Sequence, residues 1–207
     1  GMWVLSDAVS AILTAAGVKT TAVFDGELSS TIIRKCIPQS TSCREALRLC
    51  AQAAMCTCLI DRQNRLHFSR PETSTAADEW TRDVQRSDAQ IVVGQLYNVV
   101  QLTRRDEYTE SAEDEVFTAK NVTANDFERV KEVNNPLAND GAAVAAWILG
   151  WVQRRVSYDV SYRGNPALDL LDTVQIDDVY KVNGNAMITE HNFDYDGGLK
   201  SNATAIR

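Results

Sequence analysis

The later part of the chain consists of short segments in which apolar and polar residues alternate, separated by residues that favour turns. A period of two places apolar side chains on one face of a β-strand, so these segments are typical of half-buried strands. Gly197 and Gly198 lie between the last two segments and predict a hairpin turn. The strands predicted after residue 155 cover 156–162, 173–176, 187–195 and 199–206. A mainly antiparallel sheet is therefore expected here.

Helix signals are few, and the first two lie near the start of the chain. Ser6 is placed to cap a helix over 7–16, which Gly17 would end. Ser42 followed by Glu45 forms a capping box. In such a box the serine hydroxyl accepts a hydrogen bond from the backbone at Glu45, and the carboxylate reaches back to the serine. A second helix is therefore predicted to begin after Ser42.

A third helix is predicted over about 142–154, after the turn residues at 139–141. Its apolar residues have the spacing of one buried helix face: Val144, Trp147, Ile148 and Trp151. A hairpin turn is predicted at 61–64. Further strands are predicted at 18–24, 32–37, 57–60, 65–68, 97–104 and 116–122.

These patterns indicate an α+β protein with two parts. We predict a small helix-plus-hairpin domain at 1–75 and a polar linker at 76–90. The remaining residues, 91–207, are predicted to form a mainly antiparallel, barrel-like β domain with one inserted helix.

The charge balance limits the partners that the chain can have. Its 207 residues include 21 Lys and Arg against 28 Asp and Glu, a net charge of -7. Duplex DNA binding needs a basic face, so we expect no specific nucleic-acid binding. The pairs Arg104-Arg105 and Arg154-Arg155 are interpreted as solvated ends of a strand or helix. No apolar run approaches the roughly 20 residues of a membrane-spanning helix, so we expect no membrane partner.

The five cysteines are interpreted as mostly reduced, because an odd number leaves at least one unpaired. Zinc is the alternative for the later ones: Cys50, Cys56 and Cys58, with His67 nearby. Structural zinc sites usually use paired C-x2-C ligands, and that spacing is missing. Small buried thiols are therefore favoured over a metal site.

Candidate catalytic and calcium-binding groups lack the spacing that their chemistry needs. The aspartates that could form a calcium loop are Asp169, Asp172, Asp177 and Asp178. They lack the regular ligand spacing and the glycine of such loops. Glycosidase carboxylates flank the bond from separate elements, whereas Glu110, Glu113 and Glu115 share one predicted loop. His67 and His191 lie in no nucleophile signature. The sequence therefore predicts no enzyme and no catalytic, cofactor-binding or metal site.

One segment is distinctive, and it resembles a known family. Residues 162–174 read Tyr-Arg-Gly-Asn-Pro-Ala-Leu-Asp-Leu-Leu-Asp-Thr-Val. This is similar to the RGNPALELGD-x-V stretch near the end of many phage tail-tip and baseplate hub proteins. Three further family motifs resemble segments of this chain: the REAL helix and DR-x-G-x-L hairpin at 42–66, the NPL and VA-x-x-I helix at 135–148, and the closing DGGL hairpin at 193–199.

The chain departs from the family pattern at two turns. Leu171 stands where the pattern has glycine, and Asn64-Arg65 replaces its usual glycine turn. Nothing in the 162–174 motif carries chemistry, because glycine, asparagine and proline shape turns. The residues to which we assign this structural role are Arg163, Gly164, Asn165, Pro166, Asp172, Gly197 and Gly198.

The resemblance implies a structural component of a phage or prophage tail. Hubs of this kind form a ring, expected to be a homotrimer when full length. The ring attaches to tail-tube proteins on one side and to fibres or lytic modules on the other. The protein would assemble in the bacterial cytoplasm and act in the virion. Hubs also open with a β-barrel domain, which we expect to be missing here because Gly1-Met2 resembles a tag-cleavage scar.

The alternative function is a cell-wall-binding or lytic module carried on the same tail. A lytic domain should have a concave pocket with converging polar groups and perturbed carboxylates. A hub should instead have exposed strand edges and flat surfaces for copies of itself.

Overall fold

The computed structural model describes residues 1–72, 74–105, 114–123, 126–177 and 184–207. Helices account for 21% of the chain and strands for 38%. The sheets are mainly antiparallel or mixed, and they include one that is curled as a half-barrel. The predicted α+β class is therefore confirmed.

The helices and strands are named here in chain order. The first part contains β1 (Met2–Val4), α1 (Leu5–Ala15), β2 (Ala22–Phe24), a 3-10 helix (Gly26–Ser30), β3 (Ile32–Arg34), α2 (Cys43–Ala53), β4 (Thr57–Ile60), β5 (Leu66–Ser69), β6 (Asp78–Trp80) and β7 (Gln90–Val93). The rest contains β8 (Val99–Arg104), β9 (Glu115–Lys120), β10 (Val130–Asn134), α3 (Gly141–Val152), β11 (Val156–Tyr162), β12 (Thr173–Ile176), β13 (Gly184–Tyr195) and β14 (Leu199–Ile206).

These elements form two compact units that interleave along the chain. Unit 1 comprises Gly1–Arg70 and Tyr97–Gln153, and unit 2 comprises Pro71–Leu96 and Arg154–Arg207. This division differs from the one predicted from sequence, because β6 pairs with β12 and β7 pairs with β11. The segment predicted as a linker, 76–90, thus contains β6 and the first residue of β7. Independent folding of 1–75 and 91–207 stays a prediction.

Unit 1 has two apolar cores. In the first, α1 and α2 pack together beside a sheet of order β2-β5-β4, with Leu5, Cys50 and Phe68 buried. In the second, α3 packs on a sheet of order β10-β8-β9, burying Leu102 and Val144. The predicted helix over 142–154 is present as α3, and its N-cap Asp140 accepts a hydrogen bond from the Ala143 N–H.

The two N-terminal caps predicted from sequence have different outcomes. Ser42 caps α2, and its hydroxyl accepts the Glu45 N–H over 3.2 Å. The Glu45 carboxylate does not complete the box as predicted but accepts two hydrogen bonds from Arg48. The prediction for Ser6 is wrong, since α1 begins at Leu5 and its cap position is Val4. Burial of Leu5 against the first core overrides the local preference of serine for a cap.

Both of the first two helices end in the same hydrogen-bonded motif, which sequence reasoning identified only once. After α1, Gly17 has φ +66° and the Val18 N–H returns to the Leu13 carbonyl. After α2, Met55 has φ +53° and the Cys56 N–H returns to Ala51. A left-handed residue at this position usually is glycine. The predicted stop at Gly17 is confirmed, whereas Met55 carried no local signal.

Unit 2 is built on a six-stranded sheet of order β6-β12-β13-β14-β11-β7. The long strands β13 and β14 form the predicted hairpin, with one irregularity in register between Ile188 and Glu190. Buried side chains of its core include Trp80, Tyr158, Val174 and Ile188.

Four strands were missing from the sequence prediction: β1, β6, β7 and β10. They have three to five residues each, so any signal of a period of two in them is weak. Each is held by a partner distant in sequence, such as β10 by β8 in parallel register. Within the described residues, no helix is long and apolar enough to cross a membrane.

Candidate functional site

The distinctive motif forms the loop between β11 and β12 in unit 2. We call residues 163–172 the motif loop. Its first residue, Arg163, is exposed, but its backbone N–H donates to the Val84 carbonyl over 3.0 Å. The loop is thereby tied to the segment that was expected to be a linker.

Asn165 holds the turn together from inside the motif loop. Its side-chain oxygen accepts the Ala167 N–H over 3.0 Å, and its carbonyl accepts the Leu168 N–H over 3.2 Å. Its side-chain nitrogen donates to the Asp78 carboxylate over 2.9 Å. Asparagine suits this position because one side chain offers both an acceptor and donors. Pro166 occupies the turn between these contacts, where it has no N–H to satisfy.

Gly164 is required by two independent features of the backbone. Its φ of +82° lies in the left-handed region, which residues with a Cβ rarely adopt. A Cβ at this position would also lie 3.0 Å from Cγ of Leu199 on β14. The motif loop therefore packs closely against the β13–β14 hairpin.

The end of the motif loop contains the first departure from the family pattern. Leu171 has φ +75°, so the backbone keeps a conformation that favours glycine although leucine occupies it. The Leu171 N–H donates to Ile188, whose own N–H donates to Asp172. The Asp172 carboxylate accepts the Asp169 N–H over 2.7 Å. Tertiary hydrogen bonds thus hold the turn in spite of its residue type.

A row of aromatic side chains lies beside the motif loop. Tyr162 is buried, and its ring centroid lies 4.5 Å from that of Trp80 and 6.0 Å from that of His191. The Tyr162 hydroxyl lies 2.8 Å from Nε2 of His191 and accepts the Asn165 N–H over 3.4 Å. Burial raises the pKa of Tyr162. His191 continues the row to Phe193, with centroids 4.2 Å apart.

Gly197 and Gly198 form the turn of the β13–β14 hairpin. Gly197 has φ +66°, and the Asp196 N–H donates to the Gly198 carbonyl. The aspartates considered as calcium ligands, Asp169, Asp172 and Asp177, form no metal cluster among the described residues. The fourth, Asp178, lies outside the residues that the structure describes.

Asn135, part of the family-like NPL segment in unit 1, is the polar group that sequence reasoning missed. It is fully buried, and its side-chain nitrogen donates to the Leu49 carbonyl and to Gln52 over 3.0 Å each. Its side-chain oxygen accepts the Leu137 N–H. A buried amide must be satisfied in this way, so Asn135 joins α2 to the end of β10. A buried asparagine next to proline offered no signal of this role.

The cysteine and histidine candidates are not brought together as a metal site. Cys50 and Cys56 are buried, and burial raises the pKa of both thiols to about 12. Burial likewise raises the pKa of Cys58 to about 11. His67 instead lies 2.7 Å from the Asp25 carboxylate. Thiols with pKa values this high stay protonated at neutral pH. Within the described residues, no group of three or more His, Cys, Asp or Glu side chains is arranged to hold a metal ion.

The glutamates considered as catalytic carboxylates are only partly described. Glu110 and Glu113 lie outside the described residues. Glu115 is exposed and accepts a hydrogen bond from Arg104 Nε over 2.6 Å. Arg104 also donates to the carbonyls of Ala138 and Asn139, so this ion pair joins β9 to the turn before α3.

No protein-family model and no curated protein matches the sequence. Among solved structures, the MuSo2 prophage 43 kDa tail protein of Shewanella oneidensis superposes with a TM-score of 0.70. The two share 14% identity over 100% of this chain and 67% of that protein.

Two further structures agree over nearly the whole chain. The tail protein of Neisseria meningitidis MC58 has a TM-score of 0.69 at 13% identity, over 98% of this chain and 66% of that one. A chain of the virion of a native gene transfer agent has a TM-score of 0.70 at 18% identity, over 96% of this chain and 46% of that one.

This chain has the fold of phage and prophage tail proteins. The family resemblance of the sequence motifs is thereby confirmed at the level of the fold. The tail-protein fold extends through both units, while the chain spans two thirds or less of the length of most of these structures. In this fold, Asn165 of the motif loop and the buried Asn135 both accept hydrogen bonds from the backbone with their side chains.

Proposed function

We propose that this chain is a structural component of a bacteriophage or prophage tail tip or baseplate hub. It would form part of a ring that connects the tail tube to fibres or host-contact modules. The observation that carries the proposal is the tail-protein fold, which extends over nearly all of the chain. The sequence motifs, which occur in the same order as in the family, lend independent support. Two of them contain Asn165 and Asn135, whose side chains join distant segments by hydrogen bonds.

The edges of the six-stranded sheet support a role in assembly. Within the described residues, the sheet ends at β6 on one side and β7 on the other. Val92 and Val93 on β7 are 52% and 59% exposed. An exposed apolar edge tends to pair or to be covered. Because the two edges differ, contacts between them would be heterologous, as a closed ring requires.

We propose an architectural and non-enzymatic role for the motif residues. The side chains of Asn165 and Asp172 both form hydrogen bonds within the motif loop, and that of Asn165 also bonds to β6. Gly164 and Gly197 supply left-handed backbone. The lytic alternative has less support, because the Glu115 carboxylate forms an ion pair with Arg104 on the same sheet.

The proposal is tested by the state of assembly. Light scattering should show a monomer or weak oligomer for this chain, and a homotrimer for any longer, full-length protein that contains it. Electron microscopy of that longer protein should show rings. Lysine at both Val92 and Val93 should reduce assembly, because charge protects strand edges from pairing. Leu170→Lys, at an exposed loop leucine, is the matched control.

Two results would contradict the proposal. One is a longer protein that stays monomeric at high concentration. The other is clearing of bacterial cell walls that survives purification and disappears when a single carboxylate or histidine is replaced, since this would favour the lytic alternative.

A further inference from the structure

Unit 1 contains an apolar groove that neither of its two cores fills. Its volume is about 970 Å3, and it lies among α2, β4 and the residues that follow α1. Apolar side chains from five elements and one connecting segment line it: Leu13, Val18, Leu47, Leu59, Leu66 and Trp147. A volume of this size is typical of a ligand or peptide site.

The strand β4 offers the groove an open edge. In the sheet of order β2-β5-β4, no described strand pairs with the outer side of β4. All four residues of β4 contact the groove, although successive side chains of a strand point to opposite faces. The groove therefore extends around the edge of the strand and not only over one face of it.

The direction of the free backbone groups follows from the neighbouring hydrogen bonds. The Asp61 N–H donates to the Arg65 carbonyl, so Asp61 faces β5. Backbone groups alternate between the two edges of a strand, so Leu59 faces β5 as well, and Cys58 and Ile60 face outward. Ile60 is also 67% exposed. The N–H and carbonyl groups of these two residues are thus available to an added strand.

The rim of the groove is positively charged in a chain with a net charge of -7. Its charged lining residues are Lys19, Arg44 and Arg48, and no carboxylate is among the described lining residues. Arg48 is paired with Glu45 outside the groove. Lys19 and Arg44 are exposed and have no ion pair within the described part of the chain.

We propose that β4 binds an extended segment of a partner protein, in which apolar residues alternate with acidic ones. The segment would add to the sheet as a strand, with main-chain hydrogen bonds to Cys58 and Ile60. Its apolar side chains would fill the groove, and its carboxylates would face Lys19 and Arg44. This inference goes beyond the proposed ring, because it uses unit 1 alone and is independent of the number of copies.

Binding is measured by fluorescence anisotropy of a labelled ten-residue peptide in which valine alternates with glutamate. A peptide of alternating valine and lysine is the charge control. We expect the glutamate peptide to bind, more weakly as salt is raised, and the lysine peptide to bind at least about tenfold more weakly. Replacing Lys19 and Arg44 together by glutamate should weaken binding of the glutamate peptide by about tenfold and strengthen binding of the lysine peptide.

A pair of variants at one exposed residue isolates the main-chain contact. Ile60→Pro removes an N–H that the sheet itself does not use, and Ile60→Ala removes the side chain but keeps that N–H. We expect I60P to bind the glutamate peptide about fivefold more weakly than I60A, the effect of one hydrogen bond. Circular dichroism and thermal unfolding check that both variants are folded.

Hydrogen exchange gives a readout in the unaltered chain, should I60P fail to fold. Peptide binding should slow exchange at the amides of Cys58 and Ile60, while that of Leu59 changes little. No binding of the glutamate peptide, equal binding of both peptides, or binding without protection of Cys58 and Ile60 would each overturn the proposal. The last outcome would indicate a helix or a second copy of this chain as the occupant.

Discussion

Leu171 provides a direct test of how this fold holds an unfavourable backbone conformation. Its φ of +75° lies in the left-handed region. A residue with a Cβ adopts this region at a conformational cost of about 1–2 kcal/mol. The variants Leu171→Gly and Leu171→Ala both remove the partly buried side chain beyond Cβ, and only the glycine variant also removes Cβ. The difference between the two variants therefore isolates the backbone term from the loss of packing.

The expected magnitude follows from two opposing effects. Glycine relieves the cost of about 1–2 kcal/mol but increases the entropy of the unfolded chain by about 0.4–1 kcal/mol. L171G should therefore be more stable than L171A by about 0.5–1 kcal/mol. At the adjacent Leu170, which is 43% exposed and has no positive φ, glycine should instead be less stable than alanine by about 0.4–1 kcal/mol.

The assay is urea unfolding of the four variants, together with native-state hydrogen exchange at the Leu171 and Ile188 amides. These two amides form the hydrogen bonds that hold the turn, with Ile188 and Asp172 as acceptors. The Gly-minus-Ala differences at the two positions should themselves differ by about 1–2 kcal/mol. Glycine variants that are less stable than the alanine variants at both positions, by equal amounts, would contradict a backbone cost at Leu171.

Three further predictions concern other parts of the chain. Residues 17 and 55 both have left-handed backbone, which favours glycine. In urea unfolding, Met55→Gly should therefore be more stable than Met55→Ala by about 0.5–1 kcal/mol, and Gly17→Ala should lower the free energy of unfolding by about 1 kcal/mol. Equal stability of the two Met55 variants would contradict this. Burial raises the pKa of Cys50 and Cys56 to about 12, so mass spectrometry should detect alkylation of these thiols at pH 8 only after unfolding. The free energy of unfolding should fall as pH rises above about 8.5, where the thiols of the unfolded chain ionise, and should continue to fall towards pH 12. Trypsin should cut at exposed sites within 71–90. In gel filtration the two fragments should elute together, because β6 and β7 pair with later strands. Folded fragments that separate would support the predicted linker at 76–90.

Elements whose signals are local could be predicted from the amino-acid sequence alone. Alternation predicted β11, β12 and β14 with the same bounds that the structure has, and the capping serine predicted the start of α2. The turn at 61–64 formed as predicted, with Asp61 accepting the backbone N–H of Gln63 and Arg65. Such signals suffice because their hydrogen bonds join residues a few positions apart.

The turn at Asn64 shows how far a local signal can extend. Asn64 replaces glycine in the family pattern and keeps a left-handed φ of +58°. Asparagine tolerates this region, so its conformation could be expected from the residue type. Leucine does not tolerate it, so the residue type at Leu171 gave no signal of the same backbone conformation.

The way in which the segments combine depends on tertiary contacts. The interleaving of the two units depends on β6 pairing with β12 and β7 with β11, across more than 60 residues of chain. Asn135 reaches α2 over a similar separation, and the open edge of β4 exists because no described strand covers it. Pairings of this kind depend on the free energy of closing long loops and burying shared apolar faces. These free energies depend on pairs of distant segments, so they cannot be inferred from the sequence of each segment taken alone.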